Sequence, residues 1–147
     1  MQGRTHLLFG LLLCVVWLEF VSSENALLSV LLILFASVLP DIDEKTSLLG
    51  RRVPLLSYFT KHRSFFHSIF FLVICIILLS FLVSINHVLA FSAGFLSHLL
   101  LDMLTPMGVK PFWPSEVKLR GFVRVGGVLE KGIFFLFVAL FIWLLLF

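Results

Sequence analysis

The sequence predicts an all-α protein, a polytopic membrane helix bundle of about five transmembrane helices with polar segments on the cytoplasmic side. Hydrophobic residues make up 61% of the 147 residues, whereas a soluble domain of this size is about 45–50% apolar. Only 13% of the residues are charged, and 18 are Phe, so too little polar surface remains to cover a water-soluble globule. We expect residues 1–147 to form a single membrane-embedded domain.

The first two apolar runs are short. They cover about 7–21 and 26–39, and a polar link at 19–25 joins them. Each is shorter than the roughly 20 residues that cross a bilayer squarely, so we expect them to extend through their polar ends or to lie in a thinned membrane. We interpret the first run as a span and not as a cleaved signal peptide, because the site inferred below needs His6.

Three further runs follow. Residues 64–85 are long enough to span the membrane, and Asn86-His87 is predicted to be a tight turn before the fourth run at 88–104. The fifth run begins at Val128 or Gly132 and ends at Phe147.

Two polar segments separate these runs. Residues 40–63 contain Gly50 and Pro54, and residues 106–127 contain three prolines. Glycine and proline interrupt helices, so neither segment is expected to form one continuous helix.

The basic residues predict the orientation. With five spans, the N-terminus and the segments 40–63 and 106–131 share one side of the membrane, and that side holds all 11 Lys and Arg. The positive-inside rule places this side and the N-terminus in the cytoplasm, and the C-terminus outside. We therefore expect a multi-pass protein of the inner or plasma membrane whose basic face meets anionic lipid headgroups. The same topology accounts for the net charge of +3, so no nucleic-acid partner is expected.

Histidines and carboxylates recur near the predicted cytoplasmic ends of the spans. His98, Asp102 and Thr105 fall on one stripe of a helix, because they are spaced by four and three residues. A charged Asp in the membrane costs about 2.5–3.5 kcal/mol on insertion scales, so Asp102 should face protein, a partner or a metal. The other residues of this kind near these ends are His6, Asp41, Asp43, His62 and His67. Because the ends converge in an antiparallel bundle, we expect a cluster of imidazoles and carboxylates at one membrane face.

Such a cluster has the ligand types of a metal centre. Neutral imidazole and carboxylate suit Zn²⁺, Mn²⁺ or Fe²⁺, and several of each can hold two ions about 3.5–4 Å apart. A bound metal lowers the pKa of a water molecule and supplies a nucleophile near neutral pH. Arg63 is predicted to balance charge on a phosphate-like substrate, and Ser68, Ser97 and Thr105 to orient the ligands.

Each feature also has a simpler interpretation. A His-x-x-x-Asp pair can be an interhelical hydrogen bond, Asp41 and Asp43 can be solvated acids, and His62-Arg63 can belong to the basic flank. His87 is interpreted as an interfacial turn residue on the opposite side. A non-enzymatic metal-binding or metal-transporting membrane protein is the main alternative function, and a structural polar cluster is another. A transporter should place polar groups near the bilayer midplane, whereas here they lie at one face.

Four motifs together resemble one known family. They are Thr5-His6-Leu7-Leu8-Phe9-Gly10, Leu39-Pro40-Asp41-Ile42-Asp43, His62-Arg63-Ser64-Phe65-Phe66-His67-Ser68 and Ser97-His98-Leu99-Leu100-Leu101-Asp102-Met103-Leu104-Thr105. In this order, over nearly the whole chain, and together with Gly108 and Trp113-Pro114, they resemble the YdjM-like, LexA-regulated, membrane-bound metal-dependent hydrolases. Position 64 is Ser, where the family usually has Gly. The family is in turn distantly similar to zinc-dependent phospholipase C.

The resemblance implies a metal-dependent hydrolase that cleaves a phosphoester in a phospholipid or another membrane-borne, phosphorylated substrate. It implies one to three divalent ions, Zn²⁺ first, with Mn²⁺ or Fe²⁺ as alternatives. The implied metal ligands are His6, Asp41, Asp43, His67, His98 and Asp102. The implied catalytic residues are Asp41, Asp43, His62 and Arg63, with Asp41, Asp43 or a neighbouring histidine as the general base.

Overall fold

A computed structural model describes residues 1–21, 25–47, 49–53 and 63–146. The described residues form five α-helices and no β-strand, which confirms the all-α prediction. An isolated antiparallel bridge joins Val109 and Leu119 in the polar segment between the last two helices. The helices are α1 (Gly3–Phe20), α2 (Ala26–Ala36), α3 (Ile69–Ser80), α4 (Ile85–Met103) and α5 (Val128–Leu146).

Three stretches of the described chain are long and apolar enough to cross a membrane. They are Gly3–Phe20, Ala26–Asp43 and Val128–Leu146. The predicted span at 64–85 is shorter than expected, because α3 has 12 residues, which is about 18 Å at 1.5 Å per residue.

The start of α3 is set by a side chain. Ser68 caps α3 by accepting a hydrogen bond from Phe71 N, so the residues before it lie in a separate 3₁₀ turn, Phe65–His67. This turn takes His67 out of the helix and gives its ring a different direction from the apolar face of α3.

The prediction of a tight turn at Asn86-His87 is wrong. The chain reverses at 81–84, and Asn86 and His87 lie in the first turn of α4. Ser84 precedes the helix with extended backbone (φ −67°, ψ 161°). His87 is buried and lies 2.8 Å from Ser84 Oγ and 3.2 Å from Asn25 O. The ring therefore joins the link before α2 to the link before α4 and is not an exposed turn residue.

Close contact between α2 and α4 determines the core of the bundle. A Cβ atom added at Gly94 would lie 2.3 Å from Ile33 O, so the two backbones meet where glycine leaves room. Phe95 and Leu99 pack beside this contact in the hydrophobic core. The contact brings the C-terminal end of α2 alongside the C-terminal half of α4.

The outward faces of the helices remain apolar. In α5 most large side chains are exposed, among them Phe135 and Trp143, whereas Glu130 is buried. An exposed apolar surface of this kind is expected where a helix faces lipid. Apart from His87, the buried histidines and carboxylates of the described residues lie at the end of the bundle where α1 begins and α4 ends.

Candidate metal centre

The polar cluster is built from the ends of several elements. The first turn of α1 supplies His6, and the 3₁₀ turn Leu39–Asp43 after α2 supplies two aspartates. The 3₁₀ turn before α3 supplies His67. The last two turns of α4 supply His98 and Asp102. Residues far apart in the sequence therefore meet at one end of the bundle, as the helix topology predicts.

Four side chains come close enough to hold one metal ion. Asp41, His67, His98 and Asp102 each offer a ligand atom, and these atoms all lie within 4.8 Å of one another. His67 Nε2 and His98 Nε2 are 3.3 Å apart, and each lies 3.6 Å from Asp41 Oδ1. Their distances to Asp102 Oδ2 are 3.8 and 3.9 Å.

These separations fit a first-row divalent ion. With metal–ligand bonds of about 2.0–2.1 Å, neighbouring ligand atoms of a tetrahedral site lie about 3.3–3.4 Å apart. The distance between the two imidazole nitrogens equals this spacing, and the distances from the imidazoles to the two carboxylates, 3.6 to 3.9 Å, exceed it by up to about 0.6 Å. Imidazole and carboxylate together suit Zn²⁺, Mn²⁺ or Fe²⁺. The donor set of Asp41, His67, His98 and Asp102 is therefore suitable for metal binding.

A backbone carbonyl fixes the orientation of His98. His98 Nδ1 lies 2.8 Å from Ser37 O, and a carbonyl only accepts hydrogen bonds, so Nδ1 carries the proton. In the neutral ring, the lone pair is then on Nε2, which faces the other three ligand atoms. Metal-ligating histidines commonly have such a partner on the second nitrogen.

Asp43 lies behind His67. It is not one of the four grouped residues, which are Asp41, His67, His98 and Asp102. Its Oδ2 atom is 3.7 Å from His67 Nδ1, while His67 Nε2 faces Asp41 and Asp102. A carboxylate on the far nitrogen of a histidine orients the ring and raises its basicity as a ligand. The position of Asp43 therefore favours support of His67 over direct coordination, which was its predicted role.

His6 packs against the group from the side of α1. Its ring stacks on the ring of His98 with centroids 3.9 Å apart and an interplanar angle of 14°. His6 Nε2 lies 3.3 Å from Asp102 Oδ1, and His6 Nδ1 has no hydrogen-bond partner among the described residues. Because buried polar atoms without partners are rare, this ring is suited to a cation beside Asp102.

Arg63 contacts both carboxylate oxygens of Asp102. Arg63 Nη2 lies 3.1 Å from Asp102 Oδ2, and Nη1 donates to Thr105 Oγ1 at 2.8 Å. The amino group of Met1 also contacts Asp102. Arg63 has a left-handed backbone with φ 62°, which is uncommon outside glycine and often marks a functional site. The guanidinium therefore balances the buried charge of Asp102.

The predicted supporting hydroxyls behave differently from one another. Thr105 is buried and accepts the hydrogen bond from Arg63, as expected for an orienting residue. Ser68 Oγ donates to Phe65 O, and Ser97 Oγ donates to Gly94 O. The hydroxyl groups of Ser68 and Ser97 thus donate hydrogen bonds within their own segments and not to the four grouped residues. His62, predicted to be catalytic, lies outside the described residues.

A cavity of about 340 Å³ opens beside the cluster and is lined by Asp41 and Arg63, among others. Glu44 and Ser47 contribute polar groups to its lining, and Met107 contributes apolar surface. The side chain of Asp41 is 15% exposed, whereas those of His67, His98 and Asp102 are fully buried. Asp41 is therefore the grouped residue through which a molecule in the cavity can approach the site.

Sequence patterns could not identify one functional atom, the carbonyl oxygen of Ser37. The interaction with His98 uses the backbone and is independent of the serine side chain, so no residue type signals it. Its position depends on the close packing of α2 on α4.

Comparison with known proteins agrees with the motifs. Residues 1–147 match the family described as YdjM inner membrane protein. The chain is 30% identical over 125 residues to "Uncharacterized protein YvsG" of Bacillus subtilis (strain 168), which covers 82% of this chain and 78% of that protein. It is 35% identical over 122 residues to inner membrane protein YdjM of Escherichia coli (strain K12), which covers 72% of this chain and 59% of that protein. A protein of the same name from Shigella flexneri matches equally.

The match thus spans less than two thirds of the length of the two YdjM proteins. No solved structure matches this chain. The family match covers the whole chain, and the three candidate spans agree with a membrane location. The chain belongs to the YdjM family of inner membrane proteins.

Proposed function

We propose that this protein is a membrane-bound, metal-dependent hydrolase that cleaves a phosphoester in a phospholipid or another membrane-borne substrate. The observation that carries the proposal is the buried group of Asp41, His67, His98 and Asp102, with ligand atoms at the spacing of a divalent metal site. Zn²⁺ is the first candidate, because two imidazoles and two carboxylates suit it. A bound ion of this kind would supply a water-derived nucleophile near neutral pH.

The residues around the cavity suggest a division of roles. Asp41 faces the cavity, so it is the carboxylate best placed to accept a proton from an attacking water. Arg63 lines the same cavity while holding Asp102. Its guanidinium is suited to balancing the negative charge of a phosphoester. His67 and His98 are fully buried and act by holding the site together, with Asp43 and Ser37 O behind them.

The membrane setting supports a lipid or lipid-linked substrate. The cavity combines polar residues with apolar ones such as Val38 and Met107, and it lies in a protein with exposed apolar helix faces. We further propose that the site faces the cytoplasm, with the N-terminus inside and the C-terminus outside. This orientation follows from the positive-inside rule, because the 11 Lys and Arg lie in the segments at the site end of the predicted topology.

The proposal is tested with the full chain in detergent or lipid nanodiscs. Bound metal is measured by elemental analysis, and release of the phosphorylated headgroup from phospholipid vesicles is followed with and without added Zn²⁺ or Mn²⁺. The wild-type protein is expected to bind metal and to hydrolyse a phosphoester. Asp102→Asn should abolish turnover, whereas Ser92→Ala, on the same helix but bonded only locally to Val88 O, should retain it. Full activity in Asp102→Asn would contradict the proposal.

One observation favours a second candidate, a non-enzymatic metal-binding or metal-transporting protein. Four protein ligands around one ion describe a closed site, which is typical of structural metal centres, whereas catalytic sites keep a position open for water. Bound metal without hydrolysis of any vesicle lipid, or metal flux in proteoliposomes, would support this alternative. We rank this non-enzymatic alternative second because Asp41 is exposed to the cavity.

A further inference from the structure

We propose that Glu130 is a positioning residue for the metal centre, which it never touches. This inference rests on the proposed metal site. Glu130 belongs to α5, and it holds the first turn of α1 and thereby fixes His6 against His98 and Asp102. No motif or resemblance in the sequence points to Glu130, which lies beside Lys131 near the start of an otherwise apolar helix.

Glu130 is a buried carboxylate with three donors around it. Its Oε1 atom accepts from Gln2 N at 2.6 Å and from Thr5 Oγ1 at 3.1 Å. Its Oε2 atom accepts from Gly126 N at 2.6 Å. Only 2% of the residue is exposed. A carboxylate buried in a membrane helix is unfavourable unless its oxygens are paired, so these three hydrogen bonds offset the cost of burying Glu130.

Two of the three donors belong to the beginning of α1. Gln2 is the N-cap residue of α1, and its own side chain does not cap the helix. The first N–H groups of a helix need acceptors, and a negative charge there interacts favourably with the helix dipole. Glu130 therefore supplies the missing cap from a different helix and ties the start of α1 to α5.

The capped turn is the turn that carries His6. Thr5 and His6 are neighbours in sequence and point about 100° apart around the helix axis. Thr5 thus contacts Glu130 on α5 while His6 faces α4, where it stacks on His98 and lies 3.3 Å from Asp102. Loss of the cap would free the first turn and shift the His6 ring relative to both ligand candidates.

Packing between α1 and α5 does not depend on Glu130 alone. Phe9 of α1 stacks on Phe137 of α5 with centroids 4.8 Å apart, further along the same helix pair. Phe137 also packs on the cluster of Met1, Leu101 and Val123, and Phe137→Ala weakens this packing without removing any of the hydrogen bonds to Glu130. It provides a matched control that separates a general loss of packing from a loss of His6 position.

The experiment measures the Kd for Zn²⁺ of the purified full chain by competition with a chromophoric chelator. Glu130→Gln keeps the size of the side chain but removes the charge. It leaves one acceptor oxygen in place of two, and its NH₂ group then faces one of the three donors. It is expected to weaken Zn²⁺ binding about 10-fold, the lower range for residues behind metal ligands. Phe137→Ala should lower thermal stability while changing the Kd by less than about 3-fold.

A double-mutant cycle with His6→Ala tests whether Glu130 affects Zn²⁺ binding through the position of His6. If Glu130 acts through His6, the protein carrying both changes binds Zn²⁺ no more weakly than His6→Ala alone, because coupled residues are not additive. Additive losses, or a wild-type Kd in Glu130→Gln, would overturn the inference while leaving the proposed metal site intact. A wild-type chain that binds no metal would overturn both. Thr5→Val, which deletes one donor to Glu130, repeats the cycle if Glu130→Gln does not fold.

Discussion

The two ends of the bundle use buried histidines in different ways. At one end, both ring nitrogens of His87 have neutral partners, the Ser84 hydroxyl and the Asn25 carbonyl. At the other end, His67 and His98 direct their Nε2 atoms towards each other and towards two carboxylates. The difference shows that burial alone does not distinguish a structural histidine from a candidate metal ligand. What distinguishes them is whether the inward nitrogens face neutral acceptors and donors or converge on anionic oxygens.

The largest expected effect is the loss of bound metal when a histidine of the metal-site end is removed, whereas removal of the histidine at the other end should have no such effect. His98→Ala removes one of the four grouped ligand atoms, so bound metal should fall below detection in elemental analysis. His87→Ala should retain the full metal content. A ligand that binds only the folded state stabilises it, so a chelator should lower the Tm of the wild-type protein but not that of His98→Ala. Equal metal content in the two variants would remove the distinction between the two ends.

A smaller loss is expected when a residue behind the ligands is changed. Asp43→Asn leaves the four grouped atoms in place but removes the charge 3.7 Å from His67 Nδ1. Metal affinity should fall about 10–100-fold, as measured by chelator competition. Asp41→Asn should cost more, because it alters a grouped atom. If Asp43→Asn were the more damaging of the two, Asp43 would have to be a direct ligand.

The helix contact behind His98 gives a third prediction. In Gly94→Ala the added Cβ meets Ile33 O at 2.3 Å, so α2 and α4 must separate and move Ser37 O away from His98. Overpacking of this kind costs about 1–3 kcal/mol, and metal affinity should fall with it. Gly132→Ala is the matched control, since a Cβ there meets nothing within 4 Å and alanine favours helix by up to about 1 kcal/mol. Thermal unfolding of the two variants should therefore shift in opposite directions.

The smallest effect is expected at the structural histidine. Ser84→Ala removes the hydroxyl 2.8 Å from His87 Nδ1, and loss of one partner of a buried group costs about 1–3 kcal/mol. Metal content and turnover should stay at the wild-type level, because the change lies at the end away from the cluster. A drop in metal affinity measured for Ser84→Ala would show that the two ends are coupled.

The sequence predicted the fold class and the family, and both are confirmed. These predictions succeeded because apolar composition and ordered motifs are properties of the chain itself. Local boundaries were less predictable. The turn expected at Asn86-His87 lies at 81–84, because Ser84 adopts an extended conformation and both predicted turn residues enter the helix. The span expected from Ser64 onward is shortened, because Ser68 caps α3 and places His67 in a 3₁₀ turn.

The sequence by itself determined which chemical groups stand near the ends of the helices, since covalent order places His6, Asp41, His67, His98 and Asp102 at the ends of apolar runs. Only the tertiary structure decided how these groups face one another. It placed Asp43 behind His67, turned His98 Nε2 inward through a backbone carbonyl, and brought Glu130 to the start of α1. Such orientations depend on distances between helices, and those are set by packing contacts such as Gly94 on Ile33 that a linear pattern does not contain.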